Sequence, residues 1–163
     1  LKVLIILIVL LLFLSINPLS AEGCVRSIPE ATLRSDFPVK ITSKYLKDQD
    51  TYQETFSFNK NQFVVIENKG CESYLIEYFF EFPSNIKINY YTEIINSLLF
   101  IQKFNESSVN ISKIAKMLKK SNERDIINKN IPISNNEFGE YFRLEKRMDK
   151  NKIIYSLLTV IGL

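Results

Sequence analysis

The stretch that most constrains this chain runs from Phe63 to Phe82, FVVIENKGCESYLIEYFFEF. Its second half alternates. Tyr74, Ile76, Tyr78, Phe80 and Phe82 fall on one face, while Ser73, Glu77 and Glu81 share the other with Leu75 and Phe79. A period of two marks a half-buried strand, and aromatic and β-branched side chains suit a pleated surface. Between the apolar runs lies Asn68-Lys69-Gly70, a turn-forming cluster whose glycine can take the positive φ that other residues avoid. The stretch predicts a β-hairpin with one strongly apolar face.

The neighbouring segments extend this pattern. Thr51 to Phe58 alternates, with Tyr52, Phe56 and Phe58 on one face and Gln53, Thr55 and Ser57 on the other. Asn59-Lys60-Asn61 is a turn cluster leading into Phe63. Residues 51–82 thus read as a three-stranded antiparallel meander, stopped by Pro83, which lacks a ladder donor. Ahead of it, residues 22–38 carry Pro29 and Pro38 without periodicity and read as irregular. Val39 to Leu46 reads as a short strand or a turn, and Lys47 to Asp50 as a solvated loop.

From Tyr91 the period changes. Tyr91, Ile94, Ile95, Leu98 and Ile101 recur at steps of three and four, the stripe of an amphipathic helix ending near Phe104-Asn105. A second helix turns Ile111, Ile114, Ala115 and Leu118 inward. Ser108 or Asn110 supplies its N-cap, and Lys119-Lys120 complement the C-terminal end of its dipole. Residues 121–136 are polar and Asn-rich, and read as a long loop.

Alternation returns after Gly139, with Phe142, Leu144 and Met148 opposite Tyr141, Arg143, Glu145 and Arg147. Asp149-Lys150-Asn151-Lys152 is a charged turn, and Ile153 to Leu163 is an apolar run that predicts a central strand buried on both sides. The order is three strands, two helices, two strands. It predicts an α+β fold, an antiparallel sheet (three-stranded meander plus C-terminal hairpin) with two helices packed on one face.

Residues 1–21 read as a signal peptide. Lys2 precedes the apolar run Val3 to Leu14, Asn17-Pro18 breaks it, and Ser20-Ala21 supplies small residues for cleavage. A membrane-spanning helix needs about 20 apolar residues, and this run stops short of that. Residues 22–163 then form a single exported domain, periplasmic or secreted. Ala21-Glu22-Gly23-Cys24 also resembles a bacterial lipoprotein box, with Glu22 departing from it. Contact with a membrane is expected only if Cys24 is lipidated or the N-terminal segment stays uncleaved. Export favours a disulfide between Cys24 and Cys71 over two free cysteines. It would close a loop of about 48 residues and contribute roughly 4 kcal/mol in the chain-entropy picture.

The absences narrow the chemistry. The chain has no histidine, which removes the commonest general base and metal ligand and every Ser–His or Cys–His pair. Two cysteines cannot build a Cys/His zinc site, and four glycines fall in no phosphate-binding spacing. No cofactor is expected. Net charge is +3 with both signs scattered, so no basic footprint for nucleic acid appears. The lysines at 113, 116, 119 and 120 read as one solvated helix face.

The remaining candidates are carboxylates and aromatics. Glu77 and Glu81 lie about 13 Å apart along a strand at the usual rise, beyond the separation of about 5 to 9.5 Å used in glycoside hydrolysis. Asp48 with Asp50 lacks the third acid and the glycine of a calcium loop. Asn135-Asn136-Glu137 with Glu140 is a weak oxygen cluster, and Asn105-Glu106-Ser107 and Asn110-Ile111-Ser112 match the glycosylation sequon. Tyr74, Tyr78, Phe80 and Phe82 read either as core or as a pocket wall. Tyr90, Tyr91 and Tyr141, with Arg143 and Arg147, form a candidate protein interface, since Tyr and Arg dominate such hot spots.

Together these features point to a small exported, non-enzymatic binding protein that touches a protein partner in the cell envelope. The immunity or inhibitor class fits by size. A carrier of small hydrophobic ligands or lipids and a carboxylate-based hydrolase are the alternatives.

Overall fold

A computed structural model describes residues 28–70, 74–134 and 139–161. Seven strands form one sheet: β1 (Thr42–Leu46), β2 (Thr51–Asn59), β3 (Gln62–Lys69), β4 (Tyr74–Pro83), β5 (Asn130–Pro132), β6 (Tyr141–Asp149) and β7 (Lys152–Ile161). Their order is β1-β2-β3-β4-β7-β6-β5, and every neighbouring pair is antiparallel. Between β4 and β5 come three helices: α1 (Tyr90–Ile101), α2 (Ile111–Lys120) and the single turn α3 (Glu123–Ile126). The fold is α+β, as the alternation and the change of period predict.

Alternation decides which side of the sheet is covered. Phe56, Val64, Phe80 and Tyr155 pair across four strands, and Ile66, Tyr78, Leu157 and Leu144 form the next row. All eight are buried, in one cluster with Ile94, Ile95, Leu98 and Ile101 of α1 and Ile111, Ile114, Ala115 and Leu118 of α2. The helical stripes thus meet the apolar face of the sheet, and removing that surface from water is the main term holding the layers together. Asn89 caps α1, its Oδ1 accepting from Thr92 N at 3.1 Å, and Asn110 caps α2, accepting from Lys113 N at 3.0 Å.

Residues 28–37 form a strap over the β2 end of this core. Arg34 N donates to Phe104 O at 2.9 Å and Glu106 N to Thr32 O at 2.8 Å, so the strap runs beside the chain leaving α1. Phe37 plugs the corner, edge-on to Phe56 (4.8 Å between centroids), Phe100 (5.5 Å) and Phe104 (5.3 Å).

Five expectations need correction. The meander has four strands, because β1 joins β2. As an outer strand with residues 42–45 exposed, β1 carries no apolar pattern to read. Asn68 and Lys69 belong to β3, opposite Ile76 and Leu75, so the turn starts at Gly70 (φ 107°). Residues 121–136 hold α3 and β5 instead of loop alone; β5 is short and contains Pro132, as suits a sheet edge. Finally, β7 is central, between β4 and β6, but from Tyr155 to Val160 it alternates between buried and half-buried positions, so only one of its sides is fully covered there, while Ile154 is buried on the other. Met148, expected inward, is 71% exposed, near the β6–β7 turn.

Candidate binding surface

The side of the sheet facing away from α1 and α2 carries the other half of the alternation. One row reads Thr55, Val65, Phe79, Ser156, Glu145, and the next reads Gln53, Glu67, Glu77, Leu158, Arg143. Glu67 and Glu77 are direct cross-strand partners, an arrangement that repels. Lys69, one pleat further on, resolves it. Its Nζ lies 2.8 Å from Glu67 Oε2 and 2.6 Å from Glu77 Oε2, while Gln53 Nε2 donates to Glu67 Oε1 at 2.8 Å. Burial pulls the Lys69 ammonium toward neutrality, but hydrogen bonds and attraction from the two glutamates outweigh this and leave its pKa above the ordinary value. The same Nζ sits 5.6 Å from the centre of the Phe79 ring.

Other acids on this side are held likewise. Lys152 Nζ lies 2.6 Å from Glu81 Oε2, and Arg143 Nε lies 2.8 Å from Glu145 Oε1. A surface hollow of about 450 Å³ lies here, with Glu77, Phe79, Arg143, Glu145, Arg147 and Ser156 among its lining. A second, of about 320 Å³, opens between the β2–β3 and β6–β7 turns beside Phe63, which is 41% exposed. A third, of about 430 Å³, flanks β1 on the helix side, where Leu33, Ile41, Ser43, Tyr52 and Glu106 meet.

The structure divides the five interface candidates. Tyr141, Arg143 and Arg147 share the helix-free side of β6. Tyr90 and Tyr91 lie in the helix layer, where Tyr90 Oη donates to Ile86 O at 2.7 Å and Tyr91 Oη to Leu118 O at 2.8 Å. Glu77 and Glu81 lie on the helix-free side, each held by a lysine. Tyr78, Phe80 and Phe82 are core, with Phe82 edge-on to Tyr90 and Tyr155. Asp48 is exposed, and Asp50 accepts from the Tyr45 hydroxyl. Asn105 Nδ2 donates to Ser107 O and Val109 O, and Asn110 is the α2 cap, so both sequon asparagines are engaged. Glu140 accepts from Ser134 Oγ at 2.7 Å. Cys24, Cys71, Asn135, Asn136 and Glu137 lie outside the described residues, as does the segment 1–21.

Two acids matter more than the sequence suggested. Glu54 is 2% exposed on the helix side of β2 and accepts from Thr32 N (2.7 Å), Thr32 Oγ1 (2.6 Å) and Leu33 N (3.3 Å). Its signal was present: it falls between Tyr52 and Phe56, on their face. Glu123 Oε1 accepts from Tyr155 Oη at 2.6 Å and Lys146 Nζ at 2.9 Å, tying α3 to β6 and β7. Burial raises the Glu123 pKa, but the hydrogen bonds from Tyr155 and Lys146, and the charges of Lys146 and Arg124, bring it below the usual carboxylate value.

Among the described residues no three acidic or cysteine side chains group to hold a metal ion, and no helix is long and apolar enough to cross a membrane. The chain matches no protein family, and neither characterised proteins nor solved structures give a match.

Proposed function

We propose that this is an exported, non-catalytic protein that acts by binding another protein in the cell envelope, in the manner of an immunity or inhibitor protein. The observation that carries this reading is the helix-free side of the sheet. Its acids are all ion-paired, Glu67 and Glu77 sharing Lys69, Glu81 with Lys152 and Glu145 with Arg143, and the side chains between them are apolar or half-buried. Such a surface offers little to a reacting substrate and much to a folded partner, whose aromatic and arginine anchors need apolar contacts inside a polar rim. Tyr141, Arg143 and Arg147 stay within the proposed surface, and Tyr90 and Tyr91 do not.

Export and the Cys24–Cys71 bridge belong to the same proposal. Asn68 Nδ2 donates to Glu30 O at 2.9 Å, which brings the strap against β3 three residues before Cys71. Six residues separate Glu30 from Cys24, an extended reach of up to about 20 Å. A bridge near that contact would pin the strap covalently. The intact mass of the mature protein reads it directly, as two missing hydrogens, and the same spectrum reports the cleavage site and any acyl chain on Cys24.

A carboxylate-based hydrolase draws on one specific observation: Glu77 and Glu145 line the same hollow from separate strands. Both are ion-paired, Glu77 to Lys69 and Glu145 to Arg143. Of the wall the carrier reading draws on, Tyr78, Phe80 and Phe82 are packed into the core.

The test is affinity capture by the mature protein from its native compartment, followed by titration calorimetry with the purified partner. A saturable complex weakened by Arg147→Glu is expected. Turnover of a peptide, ester or glycoside that is lost in Glu77→Gln or Glu145→Gln would replace this reading with the hydrolase.

A further inference from the structure

The two outer strands of the sheet differ. At the β5 end, β5 is three residues long, contains Pro132 and pairs with Tyr141 to Arg143, and Asn128 N reaches Leu144 O at 2.8 Å, covering the first four residues of β6. At the other end, β1 has β2 on one side and, among the described residues, no strand on the other. All but Leu46 of its five residues are exposed, and every second one directs its N–H and C=O away from β2.

Two side-chain features say what would fit there. Lys44, on the helix-free side of β1, and Lys40, two residues before the strand, are exposed, and among the described residues neither is ion-paired. On the helix side, Ser43 lines the 430 Å³ hollow with Ile41, Leu33 and Tyr52. Residues directly opposite on adjacent strands share a face. An added strand would therefore meet lysines on one face and a partly apolar hollow on the other.

Resting on the reading that the protein works by binding another protein, we infer that the β1 edge takes an extended segment of that partner as an eighth strand, one alternating acidic and apolar residues. Main-chain hydrogen bonds to β1 supply the attachment. Acidic residues opposite Lys44 and beside Lys40 supply the complementary charge, and an apolar side chain opposite Ser43 enters the hollow. A second copy of this chain is the wrong occupant. Lys44 is the middle residue of β1, so two copies paired antiparallel along the whole strand would set Lys44 against Lys44.

The test uses the full mature chain, labelled for NMR, and two blocked decapeptides, one alternating Glu and Val and the other Lys and Val. The Glu–Val peptide is expected to give saturable shifts centred on residues 40–46 and 52, weakening with salt. The Lys–Val peptide is expected to leave them unmoved. In Lys40→Glu/Lys44→Glu, both exposed positions with no packing to lose, Glu–Val binding should fall at least tenfold and the Lys–Val peptide should bind instead. No saturable shift at β1, equal binding of both peptides, or an unchanged preference in the double variant overturns the inference. So does a concentration-dependent dimer that the double variant abolishes, which would make the occupant a second copy. A captured partner that binds the double variant as tightly as wild type overturns the edge and leaves the binding function standing. Capture of no protein by either form removes the binding function itself.

Discussion

Glu54 and Thr32 join the strap to the sheet: the Glu54 carboxylate accepts from both the backbone N–H and the hydroxyl of Thr32, at 2.7 and 2.6 Å. Both residues are buried, and Leu33 N adds a third donor at 3.3 Å. Glu54→Ala strands those donors away from water, which costs about 3 kcal/mol. For a chain of this size that lowers the melting temperature by roughly 10 °C. Thr32→Val removes only the hydroxyl and should cost about 1 kcal/mol. Thermal melts of the two variants check the ranking, and equal effects would show that the strap is held by packing alone.

Tyr78 supplies the opposite case. Its ring is fully buried, and among the described residues its hydroxyl has no hydrogen-bond partner. A polar atom left dry and unpaired opposes folding. Tyr78→Phe keeps the ring and deletes that atom, so it should be neutral or raise stability by up to about 1 kcal/mol. Denaturant midpoints measure this. A clear loss of stability would reveal a hydrogen bond, for which Ser107 is the neighbouring candidate.

Glu123 makes a pH-dependent contribution. Its pKa in the folded protein lies below the usual carboxylate value, so the stability it adds is full above its unfolded-state pKa and disappears as pH falls through the folded one. The group faces solvent in part, and screening keeps the effect under about 1 kcal/mol. Wild type should exceed Glu123→Gln in stability at pH 7 and converge with it as pH falls through the lowered folded-state value. A gap that stays constant through the acid range would mean that the carboxylate charge is not what ties α3 to Lys146 and Tyr155.

Much of this fold is written in side-chain period. Tyr78, Phe80 and Phe82 alternate without interruption, so their strand and its buried face are readable directly. Ile94, Leu98 and Ile101 do the same for α1. Strand β1 escapes such reading because among the described residues it has a neighbouring strand on one side only and is exposed on both faces, so polar residues serve there as well as apolar ones. Lys69 escapes for another reason. Its place in β3 depends on Glu67 and Glu77 lying opposite each other, a relation that exists only once the strands are in register. That Tyr141, Arg143 and Arg147 share one face of β6 was legible, because alternation governs it. Tyr90 and Tyr91 follow helical geometry, and the carbonyls of Ile86 and Leu118 claim their hydroxyls.

The tyrosines set the alkaline limit. Burial and then the nearby Glu123 push Tyr91 up to about 12, and burial with the Glu123 hydrogen bond holds Tyr155 well above its ordinary value. Raised folded-state values favour the folded protein below the unfolded pKa near 10, and that support drains away as pH climbs through them. Absorbance at 295 nm should show part of the tyrosine population ionising late, together with loss of the near-UV dichroism. Complete ionisation near pH 10 with the fold intact would contradict the buried placement of these hydroxyls.

Binding without turnover is tested most directly by site-specific photo-cross-linking in the native compartment. A photoreactive residue is placed in turn at Lys44 on the β1 edge, at Arg147 on the helix-free side, and at Lys116 on the exposed face of α2. One and the same protein adduct from positions 44 and 147, with none from 116, is the expected result. Absence of a protein adduct at 44 and 147, or adducts equally abundant at 116, would contradict a partner-binding surface on that side of the sheet.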